Sequence, residues 1–223
     1  MKTISAYPIL VMALLFTMQA CGQKQPKTNV VNSDPKKSEH MSETGTLDTI
    51  TLGGGCFWCV EAIYQRLNGV ESVASGYSGG HIKNPAYREV CNGTTGHAEV
   101  VQITYNPAVV SLEEILKVFF TVHDPTTLNR QGNDVGTQYR SAIFYRTEEQ
   151  KKIAEEVKIG LDKSGAFDAP IVTEITAFDK FYKAEDYHQN YYNENKNSNP
   201  YCQFVIVPKV EKFEKYFSDK LKK

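Results

Sequence analysis

Two cysteines in the run Gly53-Gly54-Gly55-Cys56-Phe57-Trp58-Cys59 have the types and spacing for chemistry. They follow a strand-like run, Leu47, Ile50 and Leu52, and open a helix-like one. Glycines in series let the backbone turn tightly with φ > 0, and the unpaired N–H groups of a helix's first turn favour an anion. A thiolate is such an anion, so Cys56 is expected to titrate below the free-thiol value of about 8.5 and to act as a nucleophile. Phe57 and Trp58, the single tryptophan of the chain, follow it directly. Two cysteines at i and i+3 also occur in zinc sites and as small core residues. Zinc needs a second ligand pair at similar spacing, and Cys21, Cys91, Cys202 and the five histidines are scattered, so no metal is expected. Val60 stands where a c-type haem would need its histidine.

Glu99 is the candidate acid. In Glu99-Val100-Val101-Gln102-Ile103-Thr104-Tyr105, period two puts Glu99 on one face with Val101, Ile103 and Tyr105. If that face is core, the carboxyl is desolvated and holds a proton it can donate near neutral pH. If Glu99 lies past the sheet end in water, it is an ordinary carboxylate, and periodicity alone leaves both readings open.

The elements that must position these groups are readable in order. Leu47 to Leu52 alternates as a strand, and Phe57, Val60, Ile63, Tyr64 and Leu67 recur at helical spacing until Asn68-Gly69 stops them. Val70 to Tyr77 is the next strand, followed by a long connection to Gly96 of the kind that carries function. Ser111-Leu112-Glu113-Glu114 is a capping box for a helix that ends at Asp124-Pro125. Thr126 to Gln138 reads as a polar loop carrying Asp134, and Tyr139 to Tyr145 as a strand. The order strand, helix, strand, strand, helix, strand is the ferredoxin-like split βαβ arrangement, an α/β chain of the α+β kind forming a two-layer sandwich. A C-terminal extension follows: a helix capped at Thr147 and ending near Gly165, a strand from Ile171 to Ala177, an apolar run from Phe204 to Val207, and a final helix with Val210, Phe213, Phe217 and Leu221 inward.

The chain begins differently. Met1-Lys2 and the apolar run Ile9 to Met18 form a signal peptide over residues 1–20, too short for a membrane anchor. Its end, Met18-Gln19-Ala20-Cys21-Gly22, resembles a bacterial lipoprotein signal, which implies lipidation of Cys21. Residues 21–46 are polar and Pro-, Ser- and Lys-rich, a lipidated flexible tether, and the folded domain is expected over 47–223. Lys+Arg 25 against Asp+Glu 26 gives a net charge of -1, so no nucleic-acid partner is expected. The four cysteines of the folded part are an even number that fits two structural disulfides, whereas the setting of Cys56 and Cys59 suits chemistry.

Several separated motifs agree with one family. Gly55-Cys56-Phe57-Trp58, Gly76-Tyr77-Ser78-Gly79-Gly80, Tyr87-Arg88-Glu89-Val90-Cys91, Gly96-His97-Ala98-Glu99-Val100, Gly136-Thr137-Gln138-Tyr139-Arg140-Ser141, Pro170-Ile171-Val172-Thr173 and Glu185-Asp186-Tyr187-His188-Gln189 resemble the A-type peptide methionine sulfoxide reductases. The resemblance implies reduction of the S epimer of methionine sulfoxide, free or in oxidised proteins, with no bound cofactor and with a thioredoxin-like protein as external thiol reductant. Carried over, Cys56 attacks the sulfoxide sulfur, Glu99 protonates its oxygen, Tyr87 and Tyr139 hydrogen-bond that oxygen, Phe57 and Trp58 wall the S-methyl group, and Asp134 orders the polar side. A sulfoxide oxygen leaves poorly until protonated, which is why a thiolate needs such an acid within reach. Attack leaves a sulfenic acid that a second thiol condenses to a disulfide. Cys202 is the expected resolving residue, because loop residues can move, with Cys59, where many relatives carry Gly, as the alternative. Cys91 is read as inert. The chain is expected to act as a monomer in the bacterial cell envelope, held to a membrane only by its N-terminal lipid.

Overall fold

The computed structural model describes residues 45–223. The signal peptide, Cys21 and nearly all of the 21–46 tether lie outside the described residues. The strand read at Leu47 is β1 (Asp48–Gly54), and α1 (Phe57–Tyr64), β2 (Val70–Ser78), α2 (Tyr87–Cys91), β3 (Ala98–Tyr105) and α3 (Leu112–Val122) follow. The region read as a loop contains a small hairpin, β4 (Arg130–Gln131) and β5 (Asp134–Val135), before β6 (Ser141–Tyr145). The C-terminal extension holds α4 (Glu148–Ser164), β7 (Glu174–Ala177), β8 (Phe181–Lys183), α5 (Tyr191–Asn195) and α6 (Val207–Tyr216).

The six-stranded sheet runs β7-β6-β1-β3-β2-β8. Its centre, β6-β1-β3-β2, is antiparallel throughout and is the split βαβ order read from the sequence. The extension adds β7 beside β6 in parallel, after the crossover helix α4, and β8 beside β2. Ile50, Leu52, Val101, Ile103 and Ile143 make one buried face with α1 and α3, while Ala98, Val100, Ala142 and Phe144 make a smaller core on the other. Glu99 follows the period-two expectation, sharing the main core with Val101, Ile103 and Tyr105, and is 1 % exposed.

Helix boundaries follow their caps. Ser111 Oγ accepts from the Glu114 N–H while the Glu114 side chain accepts from the Ser111 N–H, closing the capping box, and Gly165 ends α4 in the left-handed region at φ 68°. Two readings need correction, and a third, left without an element, gains one. The strand expected from Ile171 begins only at Glu174, because the Ile171 N–H goes to Asp162 and the Val172 N–H to the Pro125 carbonyl, outside the ladder. The run Phe204 to Val207 overlaps a wide helical turn over Cys202–Ile206 that feeds α6, with Pro208 in the first turn of α6. The final helix stops at Tyr216, and Leu221 instead bridges to Leu67 beyond it.

Candidate active site

The site is built at the junction of β1 and α1. Gly55 turns the chain at φ +87°, and a Cβ there would lie 2.6 Å from Gln131 Cγ, so both backbone and space demand glycine. This turn places Cys56 at the N-cap of α1, buried, with Cys59 one turn on and close enough for the two thiols to titrate as a pair. The first free amide of the helix, Phe57 N–H, donates to Glu99 Oε2 at 3.1 Å. Burial overturns the expectation for Cys56. The helix amide expected to lower its pKa is committed to Glu99, and burial, then the Cys59 thiolate, then the Glu99 charge push the Cys56 thiol well up. Cys59 goes the other way, to about 7, first because Cys56 donates to it and then through Lys209 and Tyr201, against its burial. The two thiols are therefore coupled: ionisation of Cys59 is favoured, and its charge disfavours ionisation of Cys56.

Glu99 is pushed up to about 8 by burial and by the charges of Asp134 and Cys59, against the Phe57 amide. It is a carboxylic acid at neutral pH, in a position to donate. Asp134, on β5, accepts from the Tyr201 hydroxyl at 2.8 Å, and that hydroxyl favours the ionised form of both sulfurs. Tyr87 and Tyr139 have phenols raised first by burial and then, for Tyr139, by Glu99, so both are neutral donors beside the acid. The Tyr87 hydroxyl is bonded to Cys91 one turn along α2, ahead of its interaction with Glu99.

An aromatic box closes the other side. Phe57 stacks on Tyr87 with centroids 6.4 Å apart, and Trp58 lies flat on Tyr191 at 3.7 Å with Tyr201 edge-on at 5.9 Å. The indole Nε1–H donates to His188 Nδ1 at 3.1 Å. An open cleft of about 500 Å³ adjoins the site, with Asp134, Tyr201, Phe204 and Lys209 in its lining. The structure thus brings together Cys56, Cys59, Phe57, Trp58, Tyr87, Glu99, Asp134 and Tyr139. Cys202 is fully buried on the turn before α6, and the thiol whose charge acts on it is Cys59. All four cysteines of the described residues are free thiols.

Sequence reading missed Tyr201 and His188. Tyr201 was visible only as the neighbour of Cys202, and nothing local marks its phenol as reaching two sulfurs and a carboxylate. His188 lay within a recognised motif but had no role.

A donor acid beside a buried thiol pair and an aromatic wall is equipped to reduce an S–O bond, and the comparisons decide the class. The peptide methionine sulfoxide reductase family model matches residues 48–221. The chain belongs to that family. A peptide methionine sulfoxide reductase MsrA of Saccharolobus solfataricus is 59% identical over 176 residues, 79% of this chain and 98% of that protein. One from Trichodesmium erythraeum is 55% identical over 175 residues, 78% of this chain and 98% of that one. Among solved structures, reduced Mxr1 of Saccharomyces cerevisiae superimposes with TM-score 0.64 at 36% identity, over 70% of this chain and 90% of that chain. Methionine sulfoxide reductase A of Corynebacterium diphtheriae does so with TM-score 0.61 at 36% identity, over 70% and 77%. The reductase is an oxidoreductase that returns methionine sulfoxide to methionine.

Proposed function

We propose that Cys56 is the residue that attacks the sulfoxide sulfur of the S epimer, with Glu99 protonating the oxygen and Tyr87 and Tyr139 hydrogen-bonding it. The observation that carries this reading is the Cys56–Cys59 thiol contact beside a protonated, buried Glu99. Phe57 and Trp58 hold the S-methyl group, and Asp134, tied to Tyr201, orders the polar side. For attack, the Cys56 proton passes to its hydrogen-bond acceptor Cys59, leaving a thiolate on Cys56 for the substrate sulfur. The oxygen moves to Cys56 as the sulfenic acid, the methionine departs, and condensation with a second thiol releases water and forms a disulfide.

Cys59 takes the resolving role in this account, in place of the Cys202 favoured from sequence. Its thiol lies one helical turn from Cys56 and titrates with it, whereas the thiol whose charge acts on Cys202 is Cys59. A thioredoxin-like dithiol protein then reduces the disulfide. The lipoprotein-like signal and the polar tether support attachment through Cys21 at an envelope membrane, where oxidised proteins outside the cytoplasm are the substrates. The catalytic unit acts as a monomer.

The test is turnover of separated sulfoxide epimers with dithiothreitol. Reduction of the S epimer alone is expected, and equal reduction of the R epimer, or neither, would overturn the assignment.

A further inference from the structure

His188 has no part in the steps above, yet it sits at the centre of the aromatic box. Its ring lies 4.3 Å from that of Tyr87, 5.1 Å from Phe57 and 5.6 Å from Trp58, centroid to centroid, and the residue is 1 % exposed. The Trp58 Nε1–H donates to Nδ1 at 3.1 Å. Nδ1 accepts only when it carries no proton, so the ring is neutral with its proton on Nε2. Nε2 itself is buried without a hydrogen-bond partner among the described residues, 3.9 Å from Glu185 Oε2. Burial holds the imidazole below its ordinary pKa against the opposing effect of Glu185, which keeps the acceptor form at neutral pH.

The segment carrying His188 is fastened independently of the indole. Glu185 accepts from the Tyr77 hydroxyl at 2.9 Å and from the Tyr87 N–H at 3.0 Å. The Gln189 side-chain amide bonds the Ser75 N–H and carbonyl, both at 3.0 Å, and Glu61 accepts from the Asn190 N–H at 3.0 Å. The acceptor is thus built into a strap pinned to β2, α2 and α1. Its target, Trp58, is a half-buried side chain free to rotate about two torsions unless held.

We infer that His188 is a positioning residue, whose unprotonated Nδ1 locks the indole of Trp58 in the orientation that forms the substrate S-methyl wall. The inference rests on the reading of Trp58 as that wall. Its ring also packs on Phe57 and Tyr87, but its one hydrogen bond among the described residues is to the indole of Trp58, so its directional effect on the site runs through Trp58.

Because Trp58 is the single tryptophan of the chain, indole fluorescence reports on this one side chain and its surroundings. In His188→Leu, the emission maximum is expected to shift and acrylamide quenching to increase, while KM for the S-sulfoxide rises about fivefold or more with a smaller change in kcat. His188→Asn places its carbonyl oxygen near the position of Nδ1 and should restore both, whereas His188→Gln, reaching the position of Nε2, should not. This Asn/Gln comparison carries the test if His188→Leu does not fold. In a Trp58→Phe background, which has no indole N–H, His188→Leu should change KM no further. Unchanged Trp58 fluorescence in a folded His188→Leu chain, equal behaviour of Asn and Gln, or fully multiplicative effects with Trp58→Phe would each overturn the inference. A normal KM in Trp58→Ala would instead overturn the wall reading, so the two failures are distinguishable.

Discussion

At the scale of the residue, a carboxyl that is 1 % exposed, near Asp134 and the Cys59 thiolate, keeps its proton to about pH 8. Its acid form is the donor, so kcat/KM is expected to fall as pH rises through about 8, and a pH profile of the S-sulfoxide reaction checks it. Glu99→Ala should lower kcat/KM by about 10²–10⁴-fold and remove that limb. The same shift sets stability. The folded-state pKa lies above the unfolded 4.5, so this group's contribution is full below pH 4.5 and is lost progressively as pH rises to about 8. Glu99→Gln should therefore unfold at a higher temperature than the parent at pH 8, by an effect on the order of a few kcal/mol, and show no such gain at pH 4. Glu99 was legible as a residue on an apolar face, but its burial was not, because that depends on α1 lying across the end of β3. The direction at Cys56 was misread for a related reason. A helix N-terminus was visible in the sequence, but the burial that raises the thiol was not, and a glutamate 42 positions away claims the first amide.

Elements hold the site through a few demanding positions. Gly55→Ala combines a left-handed φ with a Cβ 2.6 Å from the Gln131 side chain, so a loss of about 1–3 kcal/mol in thermal unfolding is expected, with reduced turnover as Cys56 shifts. Glu61, buried on α1, accepts from the N–H groups of Asn190 and Tyr191 at 3.0 and 3.3 Å. Truncating it to Ala leaves those half-buried donors without their acceptor and should cost about 1–3 kcal/mol, measured by denaturant unfolding. The caps at Ser111, Thr147 and Gly165 were readable because cap chemistry is local. The Ile171 segment and the Cys202–Ile206 turn were not, because distant groups and a downstream helix decide where their backbone bonds go.

The whole molecule is a legible half and a less legible half. The central β6-β1-β3-β2 sheet follows from the order of strands and helices, since hydrophobic period and short connections leave few alternatives. The C-terminal layer is joined by long-range bonds with no periodic signature: Asn68 N–H to the Lys220 carbonyl, Lys222 N–H to the Arg66 carbonyl, and Lys220 to Glu114 at 2.7 Å. That layer also supplies Tyr201 and His188 to the surroundings of the site, so the site spans both halves. The most direct test of the account is a single turnover with one equivalent of S-sulfoxide per chain and no reductant, followed by mapping of the disulfide. One methionine per chain and a Cys56–Cys59 bond are predicted. Methionine formed by Cys56→Ser, or a Cys56–Cys202 bond in place of Cys56–Cys59, would contradict it.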